Sequence, residues 1–120
     1  MHGAADQAAV GGSTANETRL QLLGCKGNAA QRFTFGPGQS IGNGGKCLDV
    51  NFSGTTNGTP VKLYDCNGTV AQQWIKDSNN RLVNPNSGKC LHPIGGSRSA
   101  GTQLEIFDCL QGATSQVWTF

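Results

Sequence analysis

Charge is scarce in this chain. Asp, Glu, Lys and Arg make up 13% of its 120 residues, roughly half the share in an ordinary globular chain. The nine Lys and Arg are scattered from Arg19 to Arg98, and the net charge is only +2. Binding a phosphate backbone needs a basic stripe, so the composition speaks against nucleic acid. Long apolar runs are missing as well. No stretch approaches the roughly 20 residues that cross a bilayer, and none sustains a 3.6-residue period, so almost no helix is expected. Histidine occurs twice, at His2 and His92. No Gly-x-Ser-x-Gly, His-Glu-x-x-His or Cys-x-x-Cys occurs, so no catalytic constellation, metal site or cofactor is read from the sequence. The opening MHGAADQAAV lacks the charged start and apolar middle of a secretory signal, so any export signal is expected outside this chain.

Gly (18 residues), Asn, Ser, Thr and Gln are abundant, a turn-rich composition that suits short strands and many loops. The length allows one domain. Five cysteines are many for a small cytosolic domain. Cys47 and Cys66 lie 19 positions apart, and so do Cys90 and Cys109. The equal spacing suggests one bridge made twice, and with it an oxidising compartment. Each would close a loop worth about 3 kcal/mol in the chain-entropy model. Cys25 is left unpaired. Sequons at Asn16, Asn51, Asn57 and Asn67 would be heavily glycosylated in a eukaryotic secretory route, which favours bacterial export.

An internal repeat governs the rest. LQLLGCKGNAAQRF, VKLYDCNGTVAQQW and LEIFDCLQGATSQVW share an alternating run, a Cys, a short turn with Gly and a Gln-x-aromatic ending. The shared cysteines, Cys25, Cys66 and Cys109, recur at periods of 41 and 43. Two copies open with GKCL; near the N-terminus Gln7 stands where Cys47 stands, so the partner of Cys25 is missing. Val61 and Leu63 alternate with Lys62 and Tyr64, and Leu104 and Ile106 with Glu105 and Phe107, which is strand periodicity. Three such copies predict an all-β fold, a β-trefoil of three pseudo-repeats of about 40 residues with essentially no helix. The whole chain, 1–120, is expected to be one domain, with units near 4–36, 37–78 and 79–120. Phe33, Trp74 and Trp118 read as core aromatics where the units meet.

The triple Gln-x-aromatic with the G-K-C-L-[D/H] and L-[Y/F]-D-C phrases resembles the ricin B-type lectins. More narrowly it is similar to the family 13 carbohydrate-binding modules of bacterial polysaccharide hydrolases. The resemblance covers residues 4 to 120. It implies that each unit can hold one sugar, with a carboxylate taking two hydroxyls, an aromatic ring under the sugar face, and polar groups near the Gln-x-Trp. The chemistry suits those residue types: a carboxylate is an acceptor for two hydroxyls at once, and a ring buries the C–H face of a pyranose.

Carried over by position, the middle copy offers Asp49, Tyr64, Asn67 and Gln72, with Lys62 where the family often has Gln and Ala71 where it often has Asn. The third copy offers Glu105, Phe107 and Gln116, but His92 replaces the carboxylate, so this site is read as impaired. The first has Ala9 and Leu23 and is read as scaffold. Asp65 and Asp108, just before cysteines, read as turn residues; with Asp49, Asp65 would be the candidate for a glycosidase pair. The expected function is a non-catalytic carbohydrate-binding module on a secreted bacterial polysaccharide-degrading enzyme. It would bind galactose-, xylose-, arabinose- or glucose-containing glycans as a monomeric domain, with no membrane partner. The alternative is a trefoil serving protein interaction or structure.

Overall fold

Short alternating runs between turns fold here into twelve strands among the described residues. The computed structural model describes residues 2–3, 7–11, 16–24, 33–43, 45–97, 99 and 101–119; Cys25 and Gln31 lie outside them. β4 (Thr34–Phe35), at the end of the first copy, and β5 (Ile41–Asn43), β6 (Lys46–Val50) and β7 (Val61–Asp65) of the middle copy form one antiparallel sheet. β8 (Ile75–Lys76), at the end of the middle copy, and β9 (Leu82–Asn84), β10 (Lys89–Pro93) and β11 (Leu104–Phe107) of the third repeat that order. The two ends of the chain meet at the first copy. There β2 (Gln7–Gly11) pairs with β3 (Leu20–Gly24), and β1 (His2–Gly3) pairs with the last strand, β12 (Trp118–Thr119). No α-helix occurs among the described residues, only 3-10 turns.

The three copies close on each other through equivalent bonds. The amides of Leu22, Leu63 and Ile106 donate to the carbonyls of Thr102, Thr18 and Thr59, at 2.7, 2.8 and 3.0 Å. Bridges Arg19↔Lys62, Pro60↔Glu105 and Gln21↔Gln103 continue the same ring. Closing the ring leaves no free edge at these strands for another chain to pair with.

Side chains of one parity fill the interior. Leu20, Val61 and Leu104 form one equivalent set, and Leu22, Leu63 and Ile106 another, all buried. Phe33, Trp74 and Trp118 are buried too, as core aromatics. Each indole N–H reaches a carbonyl, Trp74 to Leu48 at 3.1 Å and Trp118 to Leu91 at 3.4 Å, which satisfies the one polar atom such a ring brings inside. Disulfides join Cys47 to Cys66 and Cys90 to Cys109, both with Cα atoms 5.1 Å apart.

Asp65 and Asp108 turn out to hold neighbouring copies together rather than to form turns. Asp65 takes Lys46 Nζ at 2.7 Å and Asn16 Nδ2 at 3.1 Å, and its own N–H donates to Asn16 Oδ1. Asp108 repeats this with Lys89 and Asn57. In each case the lysine and the asparagine amide hold the carboxyl below the ordinary aspartate range. The asparagine comes from the preceding copy, at a sequence distance that local turn rules do not see.

Candidate functional site

Strand register decides what faces what in the middle copy. Asp49 lies opposite Lys62, and Cys47 opposite Tyr64. Successive side chains alternate, so Lys62 and Tyr64 share the face away from the Val61 and Leu63 interior. That face, the turn after β6 and the loop after Cys66 enclose a hollow of about 300 Å³. Its lining includes Glu17, Asp49, Phe52, Lys62, Tyr64 and Asn67.

Gln72 is not in the hollow but one layer behind it. Its Nε2 donates to Asp49 Oδ2 and to the Asp65 carbonyl, both at 2.9 Å, while its Oε1 accepts the Asn67 N–H at 2.9 Å. The amide is fully buried and all three contacts are local to one pocket wall. Its role is therefore to fix the carboxylate and the loop, not to touch what enters. Asp49 Oδ1 makes no protein hydrogen bond among the described residues, which leaves one carboxylate oxygen for a ligand. Burial raises the Asp49 pKa above the ordinary value, with Glu17 adding to the rise, while the Gln72 bond and the Lys62 charge oppose it. Asn67 stays at the rim. Its Oδ1 accepts from the Thr69 amide and hydroxyl at 3.1 and 2.8 Å, an Asx turn that leaves Nδ2 as the outward group.

Lys62 is buried, which its position on an outward strand face does not suggest. The cause lies in two residues that sequence reasoning passed over. Glu17, from the first copy, holds the ammonium at 2.6 Å. Phe52, in the turn after β6, and Tyr64 place their rings 5.4 and 5.3 Å from the same Nζ, within the range of cation–π attraction. A signal for both was present: Glu17 and Phe52 stand where other copies carry glycine.

The third copy brings His92, Glu105, Phe107 and Gln116 together, in an arrangement that fills its own pocket. His92 faces Glu105 across the β10–β11 ladder, with Nε2 3.8 Å from Oε2. Gln116 takes the Leu110 N–H on its Oε1 at 2.8 Å, so its Nε2 must donate, to the Asp108 carbonyl and to His92 Nδ1 at 3.1 Å. The imidazole hydrogen is thereby assigned to Nε2. Burial lowers the His92 pKa and keeps the ring neutral. The imidazole stacks on Phe107 with centroids 4.9 Å apart, so the ring that would carry a sugar carries a histidine instead. Burial raises the Glu105 pKa above the ordinary value, against the pull of Arg19. A second hollow of about 310 Å³ in this copy, beside Arg81, Leu110 and Thr114, has neither carboxylate nor aromatic ring in its lining. In the first copy Ala9 pairs with Leu22, and Leu23 with Ala8; no carboxylate stands at the Asp49 position.

Comparisons with known proteins agree with this architecture. The family model of the ricin-type beta-trefoil lectin domain matches residues 8–118. The probable lipoprotein EnvE of Salmonella typhimurium is 37% identical over 93 residues, 78% of this chain and 53% of that protein. Serine protease 1 of Rarobacter faecitabidus is 35% identical over 100 residues, 83% of this chain and 19% of its own length. The chain thus spans about half of the first relative and a fifth of the second. Among solved structures, the agglutinin from Abrus precatorius superposes with a TM-score of 0.86 at 25% identity, over 98% of this chain and 45% of that one.

Proposed function

Because the chain belongs to the ricin-type β-trefoil lectin domain family, we propose that it binds carbohydrate without catalysis, through the hollow of its middle copy. One observation carries the reading: Gln72 fixes one oxygen of Asp49 and leaves the other facing a hollow walled by Tyr64. A sugar with two adjacent hydroxyls on the carboxylate would lay its C–H face on the tyrosine ring. Asn67 at the rim and Lys62 beneath are the further polar partners. The third copy, its platform covered by His92, contributes little, and the first contributes none.

We further propose that the chain, 1–120, is one lectin domain of a longer exported bacterial protein, where it holds a polysaccharide near an attached catalytic domain. Two disulfides support an oxidising compartment, and matches to part of a lipoprotein and part of a protease support a modular setting. A single pocket should bind a monosaccharide at about millimolar strength, near −4 kcal/mol. Useful retention then comes from tethering or from polymeric ligands.

The test is titration with galactose, xylose, arabinose and glucose and their oligosaccharides, followed by calorimetry. Binding to at least one series is expected, and His92→Ala should leave that affinity within about twofold. Absence of binding to every glycan would favour a protein-interaction or structural role instead.

A pH dependence follows from the same geometry. Burial favours the neutral form of Asp49, so this carboxyl takes up its proton at a higher pH than an ordinary aspartate. Binding needs the carboxylate and should weaken as pH falls through that raised value. Asp65 and Asp108 have lowered values, so their contribution to stability is present at neutral pH and lost only at lower pH. His92, buried neutral, removes stability as pH drops below the ordinary histidine range. Affinity and far-ultraviolet dichroism measured together should show binding lost while the fold persists; binding that survives to the pH of unfolding would contradict the role of Asp49.

A further inference from the structure

Five described residues other than glycine adopt a left-handed backbone: Glu17, Gln39, Phe52, Ser53 and Asn80. Gln39 and Asn80 are equivalent to each other, and their carbonyls accept the Trp74 and Trp118 amides at 2.9 Å, so they belong to the repeat itself. The other three line the middle hollow. Where the middle copy has Phe52 and Ser53, at φ 52° and 53°, the third has Gly95 and Gly96 at 68° and 69°. Where the first has Glu17, at 72°, the others have Gly58 and Gly101, at 91° and 88°. The repeat demands this backbone and glycine meets the demand without steric cost. At these positions, among the described residues, side chains are placed on it around the middle hollow alone.

Phe52 is the most informative of the three. Bulky residues in this region are outliers, retained where a site uses the strain. The ring gains nothing from burial, since it is 91% exposed. Yet it stands on the hollow beside Tyr64, sharing with it the Lys62 ammonium. The ammonium, held by Glu17 at 2.6 Å, lies over one face of each ring, and the exposed Phe52 ring keeps its other face open. The chemistry that two neighbouring aromatic faces and a carboxylate would recognise together is a pair of linked pyranoses.

We propose that Phe52 is a second sugar platform, which makes the middle hollow select two linked sugars over one. The inference rests on reading the hollow as the sugar site. In it, Asp49 and Tyr64 hold the first ring and Phe52 takes the C–H face of the next. The turn that carries Phe52 is then a specificity element rather than a linker.

The experiment compares matched pairs, galactose with lactose, xylose with xylotriose and glucose with cellotriose, on the whole chain and on Phe52→Gly. Glycine keeps the left-handed backbone, and melting curves check that the variant is folded. For the pair that binds, the oligosaccharide should be about tenfold tighter than its monosaccharide in the parent chain, and that ratio should fall to about one in Phe52→Gly. A ratio near one in the parent, or an undiminished ratio in Phe52→Gly, overturns the Phe52 proposal and leaves the sugar site standing. If no monosaccharide or oligosaccharide binds the parent chain, the sugar site itself is refuted and the proposal with it.

Discussion

Asp49→Asn should lose sugar binding by at least about a hundredfold, enough to carry a millimolar pocket out of measurable range. The estimate comes from two charge-assisted hydrogen bonds at about 1.5–3 kcal/mol each, only part of which a neutral amide recovers. Asparagine keeps the size of the side chain, and its oxygen can still accept from Gln72 Nε2, so the pocket wall stays in place. Stability should not fall. The buried carboxylate is held against its desolvation, as its raised pKa records, and the neutral variant removes that cost. The measurement is a titration of parent and variant with the tightest glycan, alongside thermal unfolding. An Asp49→Asn protein with parental affinity would place the site elsewhere.

A second large effect is expected at the glutamines of the Gln-x-Trp phrases. Gln72→Leu leaves the Asn67 N–H, the Asp65 carbonyl and Asp49 Oδ2 without their partner. Orphaning groups of this kind costs about 1–3 kcal/mol each when they are buried, so about 3–5 kcal/mol in total is a reasonable sum for partly buried ones. On a domain of this size that lowers Tm by about 12–20 °C. Gln116→Leu makes a comparable loss at Leu110, Asp108 and His92, so its Tm should drop by a similar amount. The two variants should part company in binding. Only Gln72→Leu, measured at a temperature where it is folded, should lose affinity, because only Gln72 orients a carboxylate. Equal affinities in the two would mean that Asp49 needs no second residue to hold it.

The contrast shows which parts of this molecule could be read before its structure. The recurring Gln-x-aromatic phrase and the equal cysteine spacings announce the trefoil because the middle and third copies repeat the same bonds: glutamine to loop amide, indole to carbonyl, Sγ to Sγ. Alternation along VKLY places Lys62 and Tyr64 on one face, since strand period alone determines that. What alternation cannot show is who arrives from another copy. Glu17 is 45 positions from Lys62, and Asn16 is 49 from Asp65; both contacts exist only once the ring is closed. Gln72 looked like a pocket group because the family resemblance implies polar partners at the Gln-x-Trp, but the buried geometry gives every one of its bonds to the protein. Phe52 was hidden for a different reason. A turn rule asks for glycine there, and a rule has nothing to say about the residue that breaks it.

One consequence concerns the copy that lacks a carboxylate. Its loop supplies Glu17 to the middle hollow and Asn16 to the clasp on Asp65. The pocket is therefore jointly owned: one repeat provides the carboxylate and the ring, and the repeat before it provides the counterion for the lysine underneath. A substitution at Glu17 or Asn16, in the first repeat, therefore reaches the middle hollow and the Asp65 clasp beside it. A fragment cut to the middle repeat alone would carry every residue named in its own phrase and still lack a wall.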